Sequence, residues 1–309
     1  MKSESKIYIA GHRGLVGSSI RRSLQNKGYT NIVGQTHAEL DLLNQQATHE
    51  YIEAQKPNVI FLAAARVGGI HANNTARADF IYDNLMVQNN VIHAAWKNQV
   101  SQLIFLGSSC IYPRECPQPI KEEYLLSGPL EQTNEPYAVA KIAGIKLCES
   151  LNQQYGTKYV SVMPTNLYGP HDNYDLETSH VLPALIRKAH EAKLAGAASM
   201  SVWGSGKPRR EFMYVEDMAD ACIYLAENNI SDGYYNIGVG HDVSIREVAE
   251  LVCDVVGFKG RLEFDSSKPD GTPQKLLDVS RMSGLGWKAK TSLRDGLVLS
   301  YQWFLDNHA

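Results

Sequence analysis

The chain has 309 residues, 44% hydrophobic and 20% charged, with a formal net charge of −3 at pH 7. That length exceeds the roughly 100–200 residues usual for one domain, so a full-sized unit with a smaller lobe is expected. The composition excludes long disordered stretches, and the near-neutral charge gives no broad footprint for nucleic acid or an anionic membrane.

Only Lys207-Pro208-Arg209-Arg210 is locally basic, enough for a single phosphate group. The five cysteines, Cys110, Cys116, Cys148, Cys222 and Cys253, are scattered and form no C-x-x-C pair. Neither a disulfide framework nor a zinc site is indicated, and a reducing compartment fits. Met1-Lys2-Ser3-Glu4-Ser5 runs directly into a short apolar strand, and no run of 18 apolar residues occurs. The expectation is a cytoplasmic protein with no membrane and no nucleic-acid partner.

In chain order, apolar runs at 7–10, 32–34, 59–62, 103–106 and 160–163 alternate with helical spacing such as 18–26 and 83–97. Short strands without polar alternation, each followed by a helix, predict a parallel sheet covered on both faces. Beyond Pro170 the spacing predicts a helix over 183–193, a strand near 201–203, a turn at Gly204-Ser205-Gly206, a helix over 215–227 and a strand at 234–237 that returns to the first sheet. The fold class is therefore α/β, a doubly wound parallel sheet of Rossmann type with a smaller mixed α/β C-terminal lobe. Residues 1–170, with a return segment near 211–240, form the first unit, and 171–309 form mainly the substrate lobe.

Gly11-His12-Arg13-Gly14-Leu15-Val16-Gly17 follows the first strand and opens the first helix, the context in which backbone N–H groups cradle a pyrophosphate. The spacing is G-x-x-G-x-x-G. An acidic residue normally ends the second strand where NAD ribose is held, but Gly34-Gln35-Thr36-His37 has none, which points to NADP. Arg13 suits a 2′-phosphate, protonated His37 a second contact, and Asp41 the adenine.

Ser108 is expected at the end of the fourth strand, and Tyr137 and Lys141 stand four apart at the start of a helix, on one face. A lysine ammonium beside a phenol favours its ionised form, so the tyrosine is expected to exchange a proton near neutral pH. Ser108 would bond the substrate oxygen, and Lys141 also the nicotinamide ribose.

With these residues, the whole chain resembles the extended short-chain dehydrogenase/reductases. The runs Ala10-Gly11-His12-Arg13-Gly14, Ser108-Ser109-Cys110-Ile111-Tyr112-Pro113, Asn166-Leu167-Tyr168-Gly169-Pro170-His171-Asp172-Asn173 and Lys268-Pro269-Asp270-Gly271-Thr272-Pro273 are similar to the GDP-L-fucose synthases among them. The resemblance implies NADPH-dependent conversion of GDP-4-keto-6-deoxy-D-mannose to GDP-L-fucose, by epimerisation at C3 and C5 and reduction at C4. Inversion beside a ketone needs two proton-transfer groups, which the resemblance maps onto Cys110 and His180; a thiolate base and an imidazolium acid are one division of labour.

The resemblance further implies cofactor contacts at Gly11 through Gly17, His37, Asp41, Leu42, Leu106, Gly107, Ser108, Ser109, Lys141, Pro164, Asn166, Leu167 and His180. It implies substrate contacts at Lys188, Trp203, Arg210 and Asp270, with Asn166 near the sugar or diphosphate. Read alone, Trp203 also suits core packing, Cys110 a buried apolar site and His180 a capping position. His37 and Lys188 stand where the family often carries arginine, which bears on NADP selectivity and diphosphate binding. A homodimer is implied, paired through the helix of Tyr137 and the helix near 84–97. Other readings are a dehydratase, 4-epimerase or plain 4-ketoreductase on the same scaffold, and a non-catalytic dinucleotide sensor. The Ser109-Cys110 pair, in place of an acidic pair, disfavours dehydration.

Overall fold

The computed structural model describes residues 1–231, 233–268 and 270–308; Pro269 of the quoted run lies outside them. The first half runs β1 (Ile7–Ala10), α1 (Leu15–Asn26), β2 (Ile32–Val33), α2 (Gln45–Gln55), β3 (Val59–Leu62), α3 (Ile70–Thr75), α4 (Arg77–Lys97), β4 (Gln102–Leu106), α5 (Glu135–Tyr155) and β5 (Tyr159–Pro164). There follow β6 (Asn166–Tyr168), α6 (Val181–Leu194), β7 (Ser199–Trp203), β8 (Arg209–Arg210), β9 (Phe212–Tyr214), α7 (Val215–Glu227) and β10 (Tyr234–Ile237). The chain ends with β11 (Val243–Ser244), α8 (Ile245–Val256), β12 (Arg261–Asp265), β13 (Gln274–Lys275), α9 (Ser280–Gly284) and α10 (Leu293–His308).

The central sheet is parallel, in the order β10-β5-β4-β3-β1-β2. Strands β1, β3 and β4 are buried along their whole length, as uninterrupted apolar runs require when helices cover both faces. One core, from Ile9, Ile20, Phe61 and Met218, lies under α1 and α7. The opposite core, from Tyr8, Ile60, Phe105 and Ile145, lies under α2, α4 and α5. A third fills the C-terminal lobe between α6, α8 and α10, around Leu185, Val252 and Phe304. Strand β10 pairs with β5, so the predicted return to the first sheet is observed.

Helix boundaries differ from the spacing at their starts: α1 begins at Leu15, α4 at Arg77 and α6 at Val181. The added first turns already carry apolar or buried residues, Leu15 and Val16 in α1, Phe80 in α4 and Leu182 in α6, so each helix starts earlier than the spacing predicts. No described helix is long and apolar enough to cross a membrane.

The two halves are joined at Glu211, whose residue is wholly buried between β8 and β9. Its Oε1 accepts the N–H groups of Val239 at 2.6 Å and Gly240 at 2.7 Å, and its Oε2 that of Leu277 at 3.1 Å. Its carbonyl accepts Thr165 Oγ1 and Asn166 Nδ2. Burial raises the Glu211 carboxyl above the ordinary range, and the three backbone donors pull it back. Truncation to alanine leaves three buried donors unpaired, so Glu211→Ala is expected to lose about 2–5 kcal/mol of stability by urea unfolding. A loss within about 0.5 kcal/mol, the size of an ordinary surface substitution, would contradict this role.

Candidate active site

The strand order reverses between β1 and β3, and in open α/β sheets the crevice beyond the carboxyl ends at such a point is where ligands bind. Gly11 occupies it with φ +85°, and a side-chain carbon there would meet the Ala64 nitrogen at 2.7 Å. A carbon on Gly17 would stand 2.1 Å from the Gly11 carbonyl oxygen, so the helix can approach the turn only without a side chain. Helix α1 starts at Gly14 with no side-chain cap, leaving its first-turn donors to a ligand. The glycine turn thus fits a dinucleotide pyrophosphate on its own geometry, and Arg13 and Gly14 are exposed there.

Beyond β2, His37 is exposed and its Nδ1 lies 3.6 Å from Asp41 Oδ1. Asp41 also accepts the Leu43 N–H at 2.9 Å, so this carboxylate shapes the turn. Between His37 and Asp41 the sequence motifs do not single out Glu39, which accepts both the N–H and the hydroxyl of Thr36 at 2.8 Å. The Thr36-x-x-Glu39 spacing of a capping box carried that signal. Leu42 is held by Asn90 Nδ2 donating to its carbonyl.

Strand β4 ends at Leu106, and the Gly107 N–H extends the ladder to the Val162 carbonyl. Ser108 therefore stands two residues beyond the strand, where its Oγ accepts the Cys110 N–H at 3.2 Å and caps the short 3₁₀ turn of Ser109–Ile111. Tyr137 and Lys141 occupy the first two turns of α5, which packs on that turn. Lys141 is 3% exposed; its Nζ donates to the Leu106 carbonyl at 2.7 Å and lies 5.7 Å from the Tyr137 ring centroid.

Burial overrides the expected ammonium effect. It lowers Lys141 to about 7, and a lysine that is only partly charged at neutral pH cannot hold the phenol ionised. The Tyr137 hydroxyl is instead raised well above its ordinary value, first by burial and then by Cys110, while its hydrogen bond with Ser108 pulls the other way. Tyr137 thus rests as a proton donor.

His180 is the N-cap residue of α6. The preceding loop is tied by Asp175 Oδ1, which accepts the N–H groups of Glu177 and Thr178, and the Thr178 carbonyl accepts the Gly69 N–H at 3.2 Å. His180 is solvent-accessible but lies in a cleft walled by protein, and desolvation there lowers its imidazole below the ordinary value. At pH 7 the ring therefore rests neutral, so the imidazolium acid that the resemblance implies needs a proton taken up during the reaction.

In the second lobe Trp203 is 60% exposed, which removes the core-packing alternative. Lys188 Nζ and Lys268 Nζ each lie 5.3 Å from its ring centroid. Burial lowers Lys188. Asp270 accepts the Ser205 N–H at 2.6 Å and its hydroxyl at 2.8 Å, so both oxygens already have partners. Arg210 lies on β8, half-buried, near Asp270. Pro164 ends β5, and Asn166 and Leu167 lie on β6, with the Asn166 amide donating to the Glu211 carbonyl at 2.8 Å. Among the described residues no cluster of His, Cys, Asp and Glu is arranged to hold a metal.

A glycine turn at the switch point, with Ser108 just beyond β4 and Tyr137 and Lys141 on the helix α5 packed against it, defines a dinucleotide-dependent oxidoreductase of the short-chain type. Residues 7–238 match the NAD dependent epimerase/dehydratase family, and the chain belongs to it. It is 57% identical to GDP-L-fucose synthase 1 of Arabidopsis thaliana over 303 residues, covering 98% of this chain and 94% of that protein. It is 55% identical to GDP-L-fucose synthase of Escherichia coli (strain K12) over 314 residues, covering 99% and 98%. A solved GDP-mannoheptose C4 reductase from Campylobacter jejuni with NADP bound is similar at 44% identity, with a TM-score of 0.91 and 99% of each chain covered.

The Lys141 environment yields a testable consequence. With its folded value lowered from 10.5 to about 7, the unfolded chain binds more protons than the folded one between those limits. Wild-type stability from this group therefore rises with pH across that window, by up to about 1.4 kcal/mol per pH unit, and is flat outside it. Relative to Lys141→Met, wild-type protein is expected to gain stability between pH 7.5 and 9.5 in urea titrations; a constant difference would show that Lys141 titrates normally.

Proposed function

We propose that this chain is a GDP-L-fucose synthase, which takes GDP-4-keto-6-deoxy-D-mannose to GDP-L-fucose by epimerisation at C3 and C5 and reduction at C4 with NADPH. The observation that carries the reading is Cys110, two residues after Ser108 and electrostatically coupled to Tyr137, so that a second proton-transfer group stands at the reduction site. Identity of 55–57% to two GDP-L-fucose synthases, nearly end to end, supports it.

Bound NADPH supplies the hydride for C4. Gly11 to Gly17 would hold its pyrophosphate, Arg13 and His37 its 2′-phosphate, Asp41 and Leu42 the adenosine, and Leu106 to Ser109, Lys141, Pro164, Asn166, Leu167 and His180 would serve the nicotinamide half. Ser108 donates to the C4 oxygen and Tyr137 delivers the proton that makes it a hydroxyl; the raised value of this phenol makes it an acid that keeps its proton until charge develops on that oxygen. Lys141, near its titration midpoint, restores the Tyr137 proton at little cost.

Cys110 and His180 act on C3 and C5 from opposite faces of the enolate. Cys110 removes the proton as thiolate. His180, neutral at rest, is in contact with water and takes up the proton it then delivers. Lys188 and Arg210 neutralise the diphosphate, Trp203 packs on the base, and Asp270, beside Ser205, closes the ribose side.

A homodimer and a reducing, cytoplasmic setting belong to the same reading. Helices α4 and α5 pack side by side and expose Tyr82 and Val139, which a second copy would cover. Five free cysteines suit a reducing compartment.

The similarity to a C4 reductase makes reduction without epimerisation the competing reading. Variants separate the two. Tyr137→Phe is expected to slow NADPH oxidation by about 10²–10⁴-fold while solvent deuterium still enters C3 and C5, and Cys110→Ser and His180→Asn to slow deuterium entry by a similar factor, measured at saturating NADPH. Cys110→Ser and His180→Asn proteins that exchange at the wild-type rate would favour the plain reductase.

A further inference from the structure

We propose that Lys275 is a positioning residue for Cys110, its ammonium group holding the sulfur as the thiolate that removes the substrate proton. The inference rests on the reading of Cys110 as a proton-transfer group. Neither the glycine turn nor the tyrosine-lysine pair points to Lys275, which lies 165 residues away in sequence with its Nζ 3.7 Å from Cys110 Sγ.

The backbone holds Lys275 there. Strand β13 is parallel to β8, with Lys275 in register with Arg210, and in-register neighbours project to one face of a sheet. The same two-strand edge therefore presents Arg210 and Lys275 together. The following residues are clamped: the Leu276 N–H donates to Gln118 Oε1 at 2.9 Å, the Ile120 N–H to the Leu276 carbonyl at 2.7 Å, and the Leu277 N–H to Glu211. These bonds fix the lysine backbone against the loop that begins at Cys110.

The groups acting on the sulfur are Tyr137 from α5 and Lys275 from β13, while on its own turn the Ser108 hydroxyl oxygen accepts the Cys110 backbone N–H. Cys116 also lies in the field of Lys275, but burial raises its thiol. Tyr137 stays neutral because burial raises it, so it adds no negative charge beside the sulfur at rest. A cation at this distance favours thiolate over thiol. In the step that follows, an S–H bond forms as the C–H bond beside the ketone breaks, and the released pair enters the enolate.

The test is alkylation of Cys110 by iodoacetamide in the full-length protein with NADPH bound, followed by peptide mass across pH for wild type, Lys275→Arg and Lys275→Met. Wild type and Lys275→Arg are expected to react alike near neutral pH, and Lys275→Met roughly tenfold or more slowly, with the deficit closing as pH rises. A Lys275→Met profile that overlays wild type would overturn the proposal. Lys275→Gln replaces Lys275→Met if that variant fails to bind NADPH, with the same criteria. The functional reading fails separately: Cys110→Ser protein that still admits deuterium at the wild-type rate contradicts Cys110 as the proton carrier, while the alkylation contrast would still stand for the ion pair.

Discussion

The Glu211 carboxylate is the constraint on which the cleft depends. A buried acid costs several kcal/mol unless its lone pairs are met, and here three backbone N–H groups from two distant segments meet them. Because those donors follow β10 and β13, the acid fixes where the last strand of the central sheet turns away and where the chain comes back from the second lobe. Its neighbour Arg210, the β6 residue Asn166 and, two residues before Leu277, Lys275 take their positions from it. A second buried node works alongside: Asn236 receives the Tyr112 hydroxyl at 2.6 Å and donates to the Ile120 carbonyl, while its N–H donates to Glu122 Oε1. Together they fasten the loop after Cys110 to the sheet edge.

The second governing effect is the dryness of the floor between β4 and α5. Desolvation brings Lys141 down to about 7 and moves the Tyr137 phenol up, so two groups that are nearly matched in water move far apart in proton affinity. A protonated Lys141 therefore returns a proton downhill to a Tyr137 phenolate, whereas the neutral phenol keeps its proton. His180, exposed at the N-cap of α6, has access to solvent.

Local signals were readable from the sequence. The glycine turn, the tyrosine-lysine spacing and the apolar strands each need only a few adjacent residues, and all were found in the expected elements. The tendency of Tyr137 was misjudged, since i and i+4 spacing gives proximity but not the desolvation that decides the charge on Lys141. Glu211 and Lys275 went unseen for another reason. Their partners lie 28 to 66 residues away for Glu211 and 165 for Lys275, joined through irregular segments that no periodicity describes. Trp203 was ambiguous because an aromatic on a short strand reads alike on either face; the alternation along β7 turns it outward.

The central claim is that one cleft carries out both the inversions and the reduction. Product NMR after wild-type turnover of GDP-4-keto-6-deoxy-D-mannose with NADPH in deuterated water tests it most directly. The account predicts GDP-L-fucose with deuterium at C3 and C5 and the NADPH hydride at C4. A 4-hydroxy product of unchanged D-configuration, with no deuterium at C3 or C5, would contradict it.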